Sequence, residues 1–343
     1  ILNINIFTLV SHVNLFIMKK SSASLSLALV FSILSVLNGI TGCKKTDTTK
    51  YPFGVFPDSI TALNSLNSTY DDMDADLYMQ LLIYSSNRNS SGSRYDFVQG
   101  SVSYTWDQDN GIFGLESDMT TDSFLTKLLT EVNGTNDRIG PYRLYSPTDG
   151  YEYLFYSKDN GSGNLDFYYT MNRPVASTTL PDVTAPNAAN MLNTTGNDAY
   201  ISFDTNQDTL YFSSSSGGDF DIYQKSRSLD TALSVWLSKP FRPLAKVDSI
   251  NSTGDDKCPC VYKKILVFAS NRAGGMGGFD LYYSVFKNGK WNSPVNFGPD
   301  VNTQYNETCP AISYDRSFLN VYMIFSSDRP GGKGGYDLYF KGI

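Results

Sequence analysis

Histidine is all but missing from this sequence: the only one, His12, falls within the first 42 of 343 residues. Downstream there is no imidazole for a His/Ser/Asp triad, a Cys/His pair, an HExxH site or an imidazole-ligated zinc. Glutamate is scarce too, with Glu116, Glu131, Glu152 and Glu307 set against 30 aspartates. The first 42 residues hold two lysines and no acid, so the other 301 carry 25 Lys plus Arg (27 less 2) against 34 acids, a formal charge near −9. That balance, with no basic stripe interleaved with aromatics, argues against nucleic acid or anionic lipid as the main partner. The longest apolar stretch, Leu25 to Leu37, is short for a membrane span.

What is present at the N-terminus is an address. Met18-Lys19-Lys20 opens a basic region, the apolar stretch follows, and Ile40-Thr41-Gly42-Cys43 closes it. This order resembles a bacterial lipoprotein signal, which implies cleavage before Cys43 and lipid on that cysteine. The expected organisation is therefore residues 1–42 as upstream residues and signal peptide, 43–50 as a lipid-anchored tether, and 51–343 as the folded domain. The expected location is the bacterial envelope, outer membrane facing the periplasm, with the cell surface as the other address.

Internal repetition is the strongest signal. Ile265-Leu266-Val267-Phe268-Ala269-Ser270-Asn271-Arg272, then a glycine-rich turn and Phe279-Asp280-Leu281-Tyr282, returns as Met323-Ile324-Phe325-Ser326-Ser327-Asp328-Arg329 with Tyr336-Asp337-Leu338-Tyr339. Weaker copies set five aspartates in phase: Asp96, Asp166, Asp221, Asp280 and Asp337, spaced 70, 55, 59 and 57 residues apart. Each copy is an aromatic or β-branched run, a polar or glycine-rich turn and a second run, the pattern of a β-hairpin. A strand-like Asp-Leu-Tyr-Tyr follows Gly274, Gly275, Gly277 and Gly278, where a phosphate cradle would need a helix. A second element, Asn251 to Pro259, aligns without gaps with Asn302 to Pro310 and less closely with Asn193 to Asp198. It introduces another strand, and Trp291 to Val295, with Trp236 to Phe241 as a looser version, supplies a fourth.

Four strands per unit, each sheet apolar on both faces, predict an all-β propeller, with five blades favoured and six the other count. The repeats resemble the WD-like, TolB-type β-propeller family of bacterial envelope proteins over residues 79 to 343. That resemblance implies blades and binding of protein or ligand at the disc surface, with no fixed reaction. The chain ends just after the third strand of its last unit, so Tyr51–Phe56 or Ser59–Leu63 is expected to close the disc as its missing strand. Thr121 to Val132 predicts a helix capped by Asp122, with Phe124, Leu125, Leu128 and Leu129 on one stripe.

The candidate chemistry is thin. Arg88, Arg272 and Arg329 each precede a phase aspartate (Asp96, Asp280, Asp337) by eight residues and are read as pairing with it across the hairpin, a structural role shared with Asp166 and Asp221. Glu307 and Asp256 are the least poor catalytic carboxyls, with backbone capping as their plainer role. Cys258 and Cys309 occupy matching repeat positions, which allows either a disulfide or two free thiols; Cys258-Pro259-Cys260 has the wrong spacing for a redox or metal centre. Asp71 to Asp76 lacks the glycine and glutamate of a calcium loop and reads as a solvated turn. No metal or cofactor is implied. The functional expectation is a noncatalytic envelope module that binds or scaffolds a protein or glycan through propeller loops. The alternative is a carbohydrate-processing enzyme using paired carboxylates.

Overall fold

The computed structural model describes residues 49–172 and 182–343. Residues 1–48, which hold the expected signal sequence, Cys43 and most of the expected tether, lie outside the described residues. Five antiparallel sheets follow one another along the chain. Blade 1 is built from Asp72–Tyr78, Leu81–Ser86, Asp96–Asp107 and Ile112–Met119, and blade 2 from Arg138–Ser146, Tyr151–Asp159, Leu165–Asn172 and Asn187–Ala188. Blade 3 comprises Asp198–Phe203, Thr209–Ser214, Asp221–Ser226 and Ala245–Lys246. Blade 4 comprises Asp256–Tyr262, Ile265–Ser270, Asp280–Lys287 and Val295–Asn296, with Lys290–Trp291 beside it. Blade 5 contributes Glu307–Tyr314, Val321–Ser327 and Asp337–Gly342.

The fourth strand of blade 5 is Thr61–Ala62, paired with Phe340 and Tyr339. First strands of neighbouring blades pack in cyclic order, blade 5 against blade 1 included. The fold is thus a five-bladed β-propeller closed by an N-terminal strand. Six blades are ruled out by the five sheets. Burial explains the closure: the middle of each second strand is apolar and buried on both faces, as in Leu266, Val267 and Phe268, and only a neighbouring blade on each side can cover it. Phe56 completes the last seam, stacked on Phe318 at 3.9 Å and in contact with Tyr322 and Phe340.

One asparagine per blade fastens that blade to the one before it. Asn67, Asn133, Asn193, Asn251 and Asn302 each donate to and accept from the backbone of one residue on the preceding third strand: Leu338, Phe97, Phe167, Ile222 and Leu281 in turn. A side-chain amide thereby substitutes for a strand partner, satisfying polar groups that would otherwise be stranded between sheets.

The helix α1 (Ser123–Val132) forms as the stripe predicts, with Asp122 accepting from the Leu125 amide and Leu125, Leu128, Leu129 and Val132 buried. Two expectations need correction. Trp236 to Phe241 is no strand: Leu233–Leu237 is a short helix, α2, because Leu233, Trp236 and Leu237 recur at helical spacing and fill the core between blades 2 and 3. Asp71 to Asp76 is no solvated turn either. It runs into the first strand of blade 1, with Asp72, Asp74 and Asp76 all buried.

Candidate functional site

The first strand of every blade is interrupted by a register shift at the same place. At each shift one residue turns left-handed: Asp74 (φ +56°), Gly140 (+60°), Tyr200 (+58°), Cys258 (+55°) and Cys309 (+48°). All five line one cavity at the centre of the disc, of about 200 Å³. A bulge re-aims the side chain it carries, and here it points each of them toward the axis. Cys258 and Cys309 are joined there as a disulfide, with their Cα atoms 4.9 Å apart. Only Gly140 carries no side chain, and the Tyr200 ring occupies its space: a Cβ on Gly140 would lie 2.9 Å from Tyr200 Cδ1.

Two carboxyl groups line this cavity in unlike surroundings. Asp74 is 3% exposed; its Oδ2 accepts from the Gly140 amide at 3.4 Å and its Oδ1 has no partner. Burial pushes its carboxyl up to about 6, against the opposing pull of that amide and of the Lys257 charge. Asp76 is pushed up by burial as well, opposed by the guanidinium of Arg143, whose Nε donates to it at 2.7 Å. Burial also raises the Cys260 thiol to about 11, leaving it protonated and unreactive.

Arg143 lines a second, larger space: a cleft of about 710 Å³ flanked by blades 1 and 2 and by α1. Its walls carry Tyr78, Tyr104, Tyr145 and Tyr314, with Phe124 from the helix. Glu152 accepts from Asn172 at 3.2 Å, and Asp315 accepts from the Tyr104 hydroxyl at 3.2 Å. Aromatic faces beside carboxylates and amides suit a polyhydroxylated ligand, whose C–H faces stack while its hydroxyls bond.

No protein-family model matches the sequence, and no curated protein matches it. Solved structures do match in fold. A thermostable family-43 glycoside hydrolase aligns with a TM-score of 0.50 at 13% identity, over 81% of this chain and 91% of its own. An α-L-arabinofuranosidase from Podospora anserina, solved with cellotriose, gives 0.47 at 14% identity, over 84% and 98% of the two chains. The catalytic domain of a family-62 α-L-arabinofuranosidase from Coprinopsis cinerea gives 0.49 at 14%, over 85% and 98%.

The likeness is to glycoside hydrolases, and it is one of fold. It overturns the expected membership of the WD-like, TolB-type repeat family, and with it the noncatalytic binding role which that resemblance implied. Blades of four strands with aromatic hairpins are common to many propellers, so the repeat pattern fixed the architecture without fixing the lineage.

The structure separates the residues singled out in the sequence. Arg88, Arg272 and Arg329 pair with the first-strand acids Asp72, Asp256 and Glu307, at 2.5, 2.6 and 3.1 Å, and not with Asp96, Asp280 and Asp337. The reason is local. Asp280 and Asp337 are already bonded by amides of their own turns, Met276 and Gly277 or Lys333 and Gly334. Asp96 is taken by Arg94 and Asp221 by Lys246, while burial raises the carboxyl of Asp166. Glu307 and Asp256 are fully buried, ion-paired and bonded to the Thr303 and Ser252 amides, which fits capping and leaves neither free for a substrate.

Sequence reasoning missed Asp74, Asp76 and Arg143. The signal for the first two was in plain view: Asn67-Ser68-Thr69-Tyr70-Asp71-Asp72 aligns without gaps with Asn251-Ser252-Thr253-Gly254-Asp255-Asp256, which places Asp74 over Cys258 and Asp76 over Cys260. Among the described residues no three His, Cys, Asp or Glu side chains converge as a metal site.

Proposed function

We propose that this chain is a carbohydrate-processing enzyme acting outside the cytoplasm, with the axial cavity as its reaction centre and the aromatic cleft as its glycan groove. The observation that carries this reading is the presence of two unlike carboxyls, Asp74 and Asp76, in one cavity, with Arg143 shared between cavity and cleft. Hydrolysis of a glycosidic bond needs a carboxylic acid that holds its proton near neutrality and a second carboxylate that attacks or activates water. Asp74, raised to about 6, supplies the first. Asp76, whose carboxyl burial also raises but which the Arg143 guanidinium meets at 2.7 Å, supplies the second in its ionised form. The fold shared with a family-43 glycoside hydrolase supports the reading, and the Cys258–Cys309 disulfide suits an oxidising compartment.

The test is hydrolysis of a panel of aryl glycosides and plant or bacterial polysaccharides. Asp74→Asn and Asp76→Asn are each expected to cut kcat by about 10²–10⁴-fold with the fold retained. Tyr145→Ala is expected to raise KM with little change in kcat. Turnover that survives both carboxyl substitutions would sink the proposal. Saturable glycan binding without turnover by the unaltered protein would move the chain to a noncatalytic glycan-binding role, which the exposed walls Tyr145 and Tyr314 also suit.

A further inference from the structure

The chain enters the propeller along an apolar rim that is held open to solvent. Tyr51 is 37% exposed, Phe53 52% and Val55 46%, whereas Phe56, next in line, is 1% exposed and plugs the last seam. A loose segment does not account for the difference. The Tyr51 amide donates to the Gln108 carbonyl at 3.0 Å and Trp106 Nε1 donates to the Tyr51 carbonyl at 2.9 Å, which pins this residue to the outer hairpin of blade 1. Gly54 is pinned to blade 5: its amide donates to the Ser317 carbonyl at 2.8 Å, and its own carbonyl accepts from the Leu319 amide at 2.9 Å. Phe53, between the two clamps, is exposed in a fixed position.

The turns that hold the segment add apolar surface of their own. Leu319, in the first hairpin turn of blade 5, is 71% exposed, and Ile112, which opens the outer strand of blade 1, is 61% exposed. Tyr51, Phe53, Val55, Trp106 and Leu319 line one hollow of about 470 Å³, which shares no residue with the axial cavity or the aromatic cleft. The Tyr51 ring is seated on the bare backbone of Gly111, where a Cβ would lie 3.0 Å from it. Beside the hollow, Lys50 Nζ lies 5.2 Å from the centroid of the Tyr51 ring.

We propose that this rim docks on the interface of a zwitterionic lipid bilayer, next to the lipid expected on Cys43. Tyr51 stands eight residues after Cys43, and that length of chain spans at most about 29 Å. A surface so tethered meets the bilayer at an effective concentration on the order of millimolar, enough to populate a contact too weak to form in free solution. The side chains suit this occupant. Tyrosine and tryptophan settle at headgroup level, a lysine stem lies along apolar surface with its ammonium in water, and Phe53, Val55, Ile112 and Leu319 enter the acyl boundary. The exposed acids Asp107 and Asp109 on the adjoining turn disfavour an anionic surface. The proposal rests on the lipid reading of Cys43 and is independent of the enzymatic one.

All five sheets and the closing strand lie within residues 51–343, so the experiment uses residues 43–343 coupled through Cys43 to a maleimide lipid in phosphatidylcholine vesicles, with and without brominated acyl chains. The protonated Cys260 thiol does not compete for the coupling. Trp106 is one of three tryptophans, and the other two, Trp236 and Trp291, are buried between blades. Brominated lipid is expected to quench the Trp106 share of the emission and to leave the rest. Phe53→Asp combined with Leu319→Asp is expected to abolish that quenching with Tm unchanged, since both side chains are largely exposed. Val235→Asp, at a 53% exposed apolar position on α2, is expected to leave it intact. No quenching, quenching that survives the paired aspartates, or an equal loss in Val235→Asp would each overturn the proposal. So would protein recovered from bacterial cells with Cys43 free of lipid by mass spectrometry, because nothing would then hold this rim near a bilayer. None of these outcomes bears on the hydrolysis tests, which read a different part of the disc.

Discussion

Asn67 and Leu338 are locked together across 271 residues: the Asn67 Nδ2 donates to the Leu338 carbonyl at 3.1 Å and its Oδ1 accepts from the Leu338 amide at 2.8 Å. Of the five equivalent pairs, this one joins the two ends of the chain. The other four fasten blades that are already sequence neighbours, and so cost less entropy to hold.

Replacing Asn67 with alanine is therefore expected to strand a buried amide and carbonyl and to destabilise the protein by about 2–4 kcal/mol. Chemical denaturation checks this. Asn193→Ala, at an internal seam, is the control, and a smaller loss at Asn67 than at Asn193 would contradict the closure argument.

Deleting the segment before residue 70 removes Thr61–Ala62 and the Phe56 ring together. Substitution of Phe56 alone with alanine is expected to cost about 3–5 kcal/mol, because the ring is 1% exposed and stacks on Phe318. The full deletion should lose more, since it also exposes the unpaired edge of Asp337–Gly342 and invites aggregation. A truncated chain as stable as the full one would refute closure by the N-terminal strand.

Gly140 combines a φ of +60° with a side chain's worth of space taken by Tyr200. Gly140→Ala is expected to cost about 1–3 kcal/mol, of which about 1 is backbone strain. Adding Tyr200→Ala should recover the steric part, so the two changes together should cost less than their sum. A double-mutant cycle measures the coupling, and strict additivity would show that the ring does not fill the gap.

Stability should fall as pH rises through neutrality. Burial raises Asp74 and Asp198 from 3.8 to about 6 and shifts Asp76, Asp166 and Asp337 in the same direction. A group whose pKa is higher in the folded state binds its proton more tightly there, so its contribution is complete below about pH 4 and is lost as pH passes 6. Ionising Asp74 or Asp198 in place is expected to cost on the order of 1–3 kcal/mol each. The midpoint of urea unfolding should drop between pH 5 and pH 7.5 and drop less in Asp74→Asn. A midpoint that climbs across this window would contradict the assignment.

How far the sequence reached depends on the range of the forces involved. Hairpins such as Ile265–Ser270 with Asp280–Lys287 are local, and their alternation of apolar residues and turn glycines states strand, turn and strand without reference to the rest of the chain. The helix at Ser123–Val132 was legible for the same reason, and the closing strand because a repeat cut short must be completed from elsewhere. The partner of each repeated arginine was not legible. Ser86 faces Asp72 on one side and Asp96 on the other, and the choice of Arg88 falls on Asp72 because Arg94 already holds Asp96.

The sequence by itself determined that this chain repeats a four-stranded β unit, with five copies favoured over six, and that residues 43–343 hold no imidazole. Only the tertiary structure decided what the disc encloses. Asp74, Gly140, Tyr200, Cys258 and Cys309 are far apart in the chain and span four residue types, yet the same bulge falls at each of them around one axis. A side chain's direction is set by backbone torsions that composition does not record, and its charge state by burial that exists only once neighbouring blades meet.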